Sequence, residues 1–172
     1  GGSYETGERI AKEIFDSPAP YPIVYERVHL RGEGAMHSST GLAIEASEIL
    51  KAVSPTIIRY FFARSQSERH INFDPGEGVI QLYDGYRTLK SSDPAYKIST
   101  VEPLPDVPYP HLVMVYQAAM GKPEAVIEVL ARTGHPVNDI KSLEYLLKKI
   151  AVWVQQYAPE RYKFTLQKTL PK

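Results

Sequence analysis

The sequence predicts an α/β start followed by a mostly α-helical bundle, mainly α overall. Three observations carry this. One segment near the N-terminus alternates with a period of two. After residue 44 the apolar positions recur at helical spacing between proline and glycine stops. Hydrophobic residues make up 43% of the 172, which is enough to bury a sizeable core.

The elements follow in order. Gly1-Gly2-Ser3-Tyr4-Glu5-Thr6-Gly7 reads as a glycine-rich turn, and Ile10, Ala11, Ile14 and Phe15 then follow helical spacing. Pro18, Pro20 and Pro22 stop that helix and force an extended connection. Residues 23–30 read as a strand, with Val24, Val28 and Leu30 on one face and Tyr25, Arg27 and His29 on the other. Residues 31–41 hold three glycines and two adjacent serines. They read as a loop and as the most mobile internal segment.

A short helix is expected over 45–53. Ser54-Pro55 marks the start of the next, serine as cap and proline in the first turn, with a stripe of Ile57, Ile58, Phe61 and Phe62. Asp74 and Glu77 stand at capping-box spacing before a helix striped by Val79, Ile80, Tyr83, Tyr86 and Leu89. Five prolines mark 91–110 as a long connection and a sub-domain boundary. Three further helices are expected over 111–120, 123–132 and 142–157, the last with Leu143, Leu146, Leu147, Ile150 and Val154 facing the core. The predicted division is 1–44, 45–98 and 99–172. Ile57, Ile58, Phe61, Phe62, Val79, Ile80, Tyr83 and Leu146 are expected to be largely buried.

Composition narrows the function classes. No apolar run approaches the ~18 residues of a membrane span, and no charged-then-apolar leader is visible. Cysteine is absent from these residues, which excludes disulfides and zinc-thiolate sites within them. Twenty basic residues balance twenty acidic ones, so the strongly basic footprint of autonomous nucleic-acid binding is lacking. There is no P-loop and no His-x-x-x-His pair. His29, His37, His70, His111 and His135 stand singly and read as surface or cap residues, so no metal site is expected. By composition alone, Ser38 and Ser39 are loop residues.

The motifs in order are more specific. Tyr25-Glu26 is followed by Gly34-Ala35-Met36-His37-Ser38-Ser39-Thr40-Gly41, then Pro55-Thr56-Ile57-Ile58-Arg59-Tyr60 and Ala63-Arg64. Ile71-Asn72-Phe73-Asp74 and Leu82-Tyr83-Asp84-Gly85-Tyr86 come next. This series resembles the archaeal-type class I lysyl-tRNA synthetases. Their pattern runs from Tyr-Glu through a Lys-Met-Ser-x-Ser-Lys-Gly loop to Pro-x-x-x-Arg-(Phe/Tyr), Ile-x-Phe-Asp and Leu-Tyr-Asp-x-(Tyr/Phe). The N-terminal glycine-rich stretch is similar to the family's Gly-Gly-Ser-Tyr-Asp-Thr-Gly. Gly134-His135, Trp153-Val154 and Tyr157-Ala158-Pro159-Glu160 extend the likeness over essentially the whole chain.

The resemblance implies the C-terminal part of a Rossmann-type catalytic core, with its KMSKS-like loop, a stem-contact-like helical region, and helices leading to an anticodon-binding domain. The implied activity is that of a lysine–tRNA ligase, joining lysine to tRNA(Lys) with ATP through lysyl-adenylate. By resemblance Met36, Ser38 and Ser39 serve catalysis, and Gly34, Met36, Ser38, Ser39 and Gly41 hold ATP. Tyr25 and Gly2 face the amino acid, and Arg59 and Arg64 face tRNA. Mg2+ is expected with ATP. The implied partners are tRNA(Lys), lysine and ATP, with neither membrane nor DNA, in a cytoplasmic monomer. Read from the residues alone, Tyr25 is equally a core strand tyrosine, and Arg59 and Arg64 equally lie on a solvated helix face.

The physical sense of such a loop is that serine hydroxyls, backbone N–H groups and lysines cradle phosphates as pyrophosphate leaves. Here Ala35 and Thr40 replace both lysines, and His37 replaces the first serine. One such preorganised donor is worth about 3–4 kcal/mol. The family's His-Ile-Gly-His-like element, from the N-terminal half of the fold, does not occur in these 172 residues. The expectation is a fragment that is inactive by itself. Two other readings stay open: a non-catalytic paralogue that binds tRNA or a synthetase partner, and a plain helical interaction module.

Overall fold

A computed structural model describes residues 2–31, 44–66 and 68–164, together with the backbone of 34–35. The chain begins with α1 (Gly2–Glu13), β1 (Val28–Leu30) and β2 (Gly34–Ala35). α2 (Ala46–Ala52), α3 (Pro55–Ala63), β3 (Ile71–Phe73) and α4 (Glu77–Arg87) follow. α5 (Pro94–Ser99), α6 (Tyr109–Ala118), α7 (Pro123–Arg132) and α8 (Ile140–Gln156) complete the bundle, with a 3-10 turn at Glu160–Tyr162. The α/β start and the mainly α bundle are as the sequence predicts.

The sheet has three short strands in the order β2-β1-β3. β1 runs antiparallel to β2, with His29 opposite Ala35, and parallel to β3, with Val28 opposite Ile71 and Leu30 opposite Phe73. The expected strand over 23–30 is therefore shortened to its last three residues. A strand persists only where a neighbour accepts its ladder, and β3 is three residues long. Upstream, Ile23, Val24 and Tyr25 are 76%, 63% and 80% exposed. β3 itself was not foreseen, and the N-terminal glycine-rich stretch lies in helix from Gly2 onward rather than in a turn.

The bundle starts where expected. Ser54 caps α3, its Oγ accepting from the Thr56 N–H at 3.1 Å. The capping box before α4 is replaced by a different turn. Gly76 is the cap residue, and Asp74 Oδ1 accepts from the Gly76 N–H at 2.9 Å. The connection over 91–110 contains α5, which Pro94 opens, and α6 starts within it at Tyr109. α5 packs on α3. Thr56 Oγ1 accepts from the Val101 and Glu102 N–H groups at 3.2 Å each, so the turn after α5 is tied to the start of α3. Gly121 and Gly134 close α6 and α7 at φ values of +71° and +83°, a conformation that suits glycine.

One core cluster runs from Ile49 to Ala158. At its centre Tyr83 stacks on Tyr109 with ring centroids 4.0 Å apart, and Tyr109 meets Trp153 edge-on at 5.4 Å. Trp153 Nε1 donates to the Pro75 carbonyl at 2.7 Å. Ile57, Phe61, Val79, Ile80, Tyr83 and Leu146 are buried as expected. Ile58 is half-buried and Phe62 is 52% exposed, because the core takes only the Ile57/Phe61 edge of the α3 stripe. On α8, Trp153 rather than Val154 is the fully buried residue. α1 buries no residue.

Candidate functional site

The loop singled out by the sequence springs from the β1–β2 pair. Gly34 and Ala35 form β2, opposite Leu30 and His29. Met36, His37, Ser38, Ser39, Thr40 and Gly41 lie outside the described residues, as does most of the 31–41 segment expected to be mobile.

The base of the loop is held by contacts that the sequence did not single out. Arg31, directly after β1, donates from Nη1 to Asp74 Oδ2 at 2.9 Å, and its N–H donates to the Phe73 carbonyl at 3.0 Å. Asp74 also turns the chain into α4 through Gly76, so one carboxylate joins the end of β1, the end of β3 and the start of α4. On the neighbouring side, His70 Nδ1 lies 3.3 Å from Glu26 Oε2. The His70 ring lies 4.6 Å from that of His29, which stands opposite Ala35. These residues look isolated along the chain because parallel pairing of β1 with β3 joins positions more than forty apart. No local periodicity signals such a contact.

The expected substrate residues are not gathered into one pocket. Tyr25 is 80% exposed. Gly2 opens α1, and its carbonyl accepts from Thr6 Oγ1 at 2.8 Å. Beside it, an open cleft of about 490 Å³ separates α1 from residues 20–23, with Ser3, Tyr4, Gly7 and Pro20 in its wall. Arg59 is exposed on α3, and Arg64 is exposed at its C-cap. The Arg59 guanidinium donates to the Ile98 carbonyl from Nε at 3.1 Å and from Nη2 at 2.5 Å. It thus places its charge at the C-terminal end of α5, where the helix dipole is negative. Arg64 lies 5.7 Å over the Tyr60 ring. Among the described residues no three His, Cys, Asp or Glu side chains group as a metal site. None of their helices is long and apolar enough to cross a membrane.

Among the described residues, the part next to the 31–41 segment is a scaffold: a short sheet edge, the Arg31–Asp74 ion pair beside it and a helical bundle behind. The family model described as tRNA synthetases class I (K) matches residues 1–102. The lysine–tRNA ligase of Archaeoglobus fulgidus is 42% identical over 171 residues, covering 96% of this chain and 35% of its own length. That of Methanosarcina barkeri is 37% identical over 185 residues, covering 99% of this chain and 34% of its own. That of Thermoplasma volcanium is 38% identical over 180 residues, covering 96% and 35%. The chain therefore spans about a third of the length of these relatives.

Proposed function

The chain belongs to the class I (K) tRNA synthetases, and from that premise we propose that it is the part of a lysine–tRNA ligase that carries the nucleotide loop and the helices behind it. The observation that carries this is the ordered motif series from Tyr25-Glu26 to Leu82-Tyr83-Asp84, within a match to named lysine–tRNA ligases over nearly the whole chain. The whole enzyme activates lysine with ATP, releases pyrophosphate, and transfers lysine from the adenylate to the terminal ribose of tRNA(Lys). It works as a cytoplasmic monomer without membrane or DNA partners.

Each residue has a part in this reading. Ser38 and Ser39, with backbone N–H groups between Gly34 and Gly41, bind the ATP phosphates, and Met36 sets the loop against the nucleotide. Gly2 and Tyr25 face the lysine substrate, where an aromatic ring suits an ammonium group. Arg59 and Arg64 lie on the tRNA side of α3. Arg59 reaches RNA only by leaving the Ile98 carbonyl. Mg2+ arrives as the counter-ion of the ATP phosphates.

The test is a chimera in which these 172 residues replace the matching third of the Archaeoglobus relative. Lysine-dependent exchange of pyrophosphate into ATP, followed by charging of tRNA(Lys), is the expected result. One observation supports a second reading, a non-catalytic paralogue: Ala35 and Thr40 stand where the family carries lysines. A chimera that binds tRNA(Lys) but exchanges no pyrophosphate, even with both lysines restored, would establish that reading instead.

A further inference from the structure

A second cavity, of about 260 Å³, lies in the helical bundle between α4, α5 and the proline-bounded turn over 103–107. It shares no lining residue with the sheet or with the loop described above. Its wall is aromatic. Tyr86 and Tyr96 are nearly parallel, at 13° with ring centroids 5.4 Å apart. Tyr83 and Tyr109 stack at 5° and 4.0 Å. Arg87 lines the cavity and donates to Asp106 at 3.2 Å, in a pair whose side chains are 38% and 86% exposed. Among the described residues, the Tyr109 hydroxyl is the buried side-chain polar atom with no hydrogen-bond partner.

We propose that this cavity is a binding site for a single nucleobase. Three reasons converge on that ligand class. Aromatic side chains beside an arginine form the sequence-tolerant platform on which bases stack. The volume falls near the lower bound of small-molecule pockets, roughly 300–1,000 Å³, and so suits one planar ring system better than a whole triphosphate. An apolar packing defect would be lined by hydrocarbon and stay dry, whereas this one holds a guanidinium, a carboxylate and a phenol. The Arg87–Asp106 pair is solvent-facing and therefore weak. Arg87 is free to turn to the phosphate or ribose of the ligand, while Asp106 accepts from a hydroxyl or an amine.

The base has two sources, a free nucleotide or an unpaired position in an RNA, and only the second rests on the ligase reading. Trp153 is the sole tryptophan, and its ring meets Tyr109, which lines the cavity, so its emission reports on the cavity through Tyr109. The experiment titrates the 172-residue chain with the four nucleoside monophosphates, and separately with single-stranded and duplex RNA of equal charge. No lysine or catalysis is involved, so the outcome is independent of the exchange assay. A saturable change in Trp153 emission is expected. Saturation by monophosphates identifies a free nucleotide, and saturation by single-stranded RNA alone identifies an RNA base. Tyr96→Ala should weaken binding by about tenfold or more, the scale of one lost base stack. Leu104→Phe should do the same by filling the space. Both positions are half-buried, and circular dichroism checks that each variant remains folded. The proposal falls if folded protein gives no saturable change with any of these probes, or if affinity is unaltered in both Tyr96→Ala and Leu104→Phe.

Discussion

Asp74 holds three segments through two oxygens: Arg31 on one side and the Gly76 N–H on the other, at the end of β3. Gly78 is what allows it. A Cβ on Gly78 would stand 2.6 Å from the Asp74 Cβ, a contact that neither backbone tolerates. In an ordinary helix, glycine to alanine gains about 1 kcal/mol of propensity. Here the overlap displaces the Asp74 side chain with its bonds, and overpacking of this kind costs about 1–3 kcal/mol. Gly78→Ala is therefore expected to lower stability in urea denaturation, and an increase would show that the turn yields freely. The stacked tyrosines give a pH prediction at the same scale. Burial pushes the Tyr83 phenol far above its usual value, with the Ser54 N–H opposing and the Glu102 carboxylate adding to the rise. Burial does the same to Tyr109, with Tyr83 beside it. A folded value raised above the usual 10.0 means that the stabilisation is complete below pH 10.0 and is lost above it, as the unfolded chain ionises first. The urea midpoint should hold its level up to that pH and then fall steeply, before Tyr83 and Tyr109 themselves ionise in the folded protein.

At the level of elements, α3 shows which features of a sequence can be read directly. Its start was legible because a cap is local: Ser54 precedes Pro55, and the serine oxygen bonds two residues on. The sequence did not disclose that Ser54 Oγ also donates to Glu102 Oε1 at 2.6 Å, or that the Ser54 N–H donates to the Tyr83 hydroxyl at 3.0 Å. Ser54→Ala should thus cost about 2 kcal/mol, the upper end for a lost cap, since Glu102 loses its donor too. The same helix explains the Phe62 error. Ile57/Ile58 and Phe61/Phe62 are consecutive pairs about 100° apart around the axis, so the apolar stripe is wider than the surface that covers it. Phe61→Ala should lose about 3–5 kcal/mol and Phe62→Ala less than about 1 kcal/mol, and equal shifts in thermal midpoint would contradict the burial pattern. β3 and the Glu26–His70 contact went unread for the opposite reason. Both come from pairing between distant segments, and a three-residue strand leaves too little alternation to detect. Of the candidate site, the loop was legible from its motif, while its anchors Arg31 and Asp74 appear only once β1 and β3 are side by side.

On the scale of the whole molecule, the core extends from α2 through α8 while the first 27 residues stay outside it. α1 buries nothing, and Ile14, Phe15 and Tyr25 are 71%, 69% and 80% exposed. Gly2 and Tyr25, proposed above to face lysine, thus lie in segments outside this core. This bears on catalysis, because a synthetase must fix ATP and an amino acid in one geometry, and such positioning is worth about 7–11 kcal/mol. The two lysines absent at Ala35 and Thr40 are each worth about 3–4 kcal/mol at most. Positioning therefore outweighs either cation, and it draws on the His-Ile-Gly-His-like element that these residues do not contain. The 172-residue chain is expected to show no lysine-dependent pyrophosphate exchange, and Ala35→Lys with Thr40→Lys should leave it inactive. In the chimera, where the relative supplies the rest of the crevice, the same two substitutions should raise the exchange rate, because cations then meet phosphates that are already placed. Exchange by the unmodified chain at the chimera's rate would refute this order of effects, since Gly2, Tyr25 and the loop would then position both substrates without help.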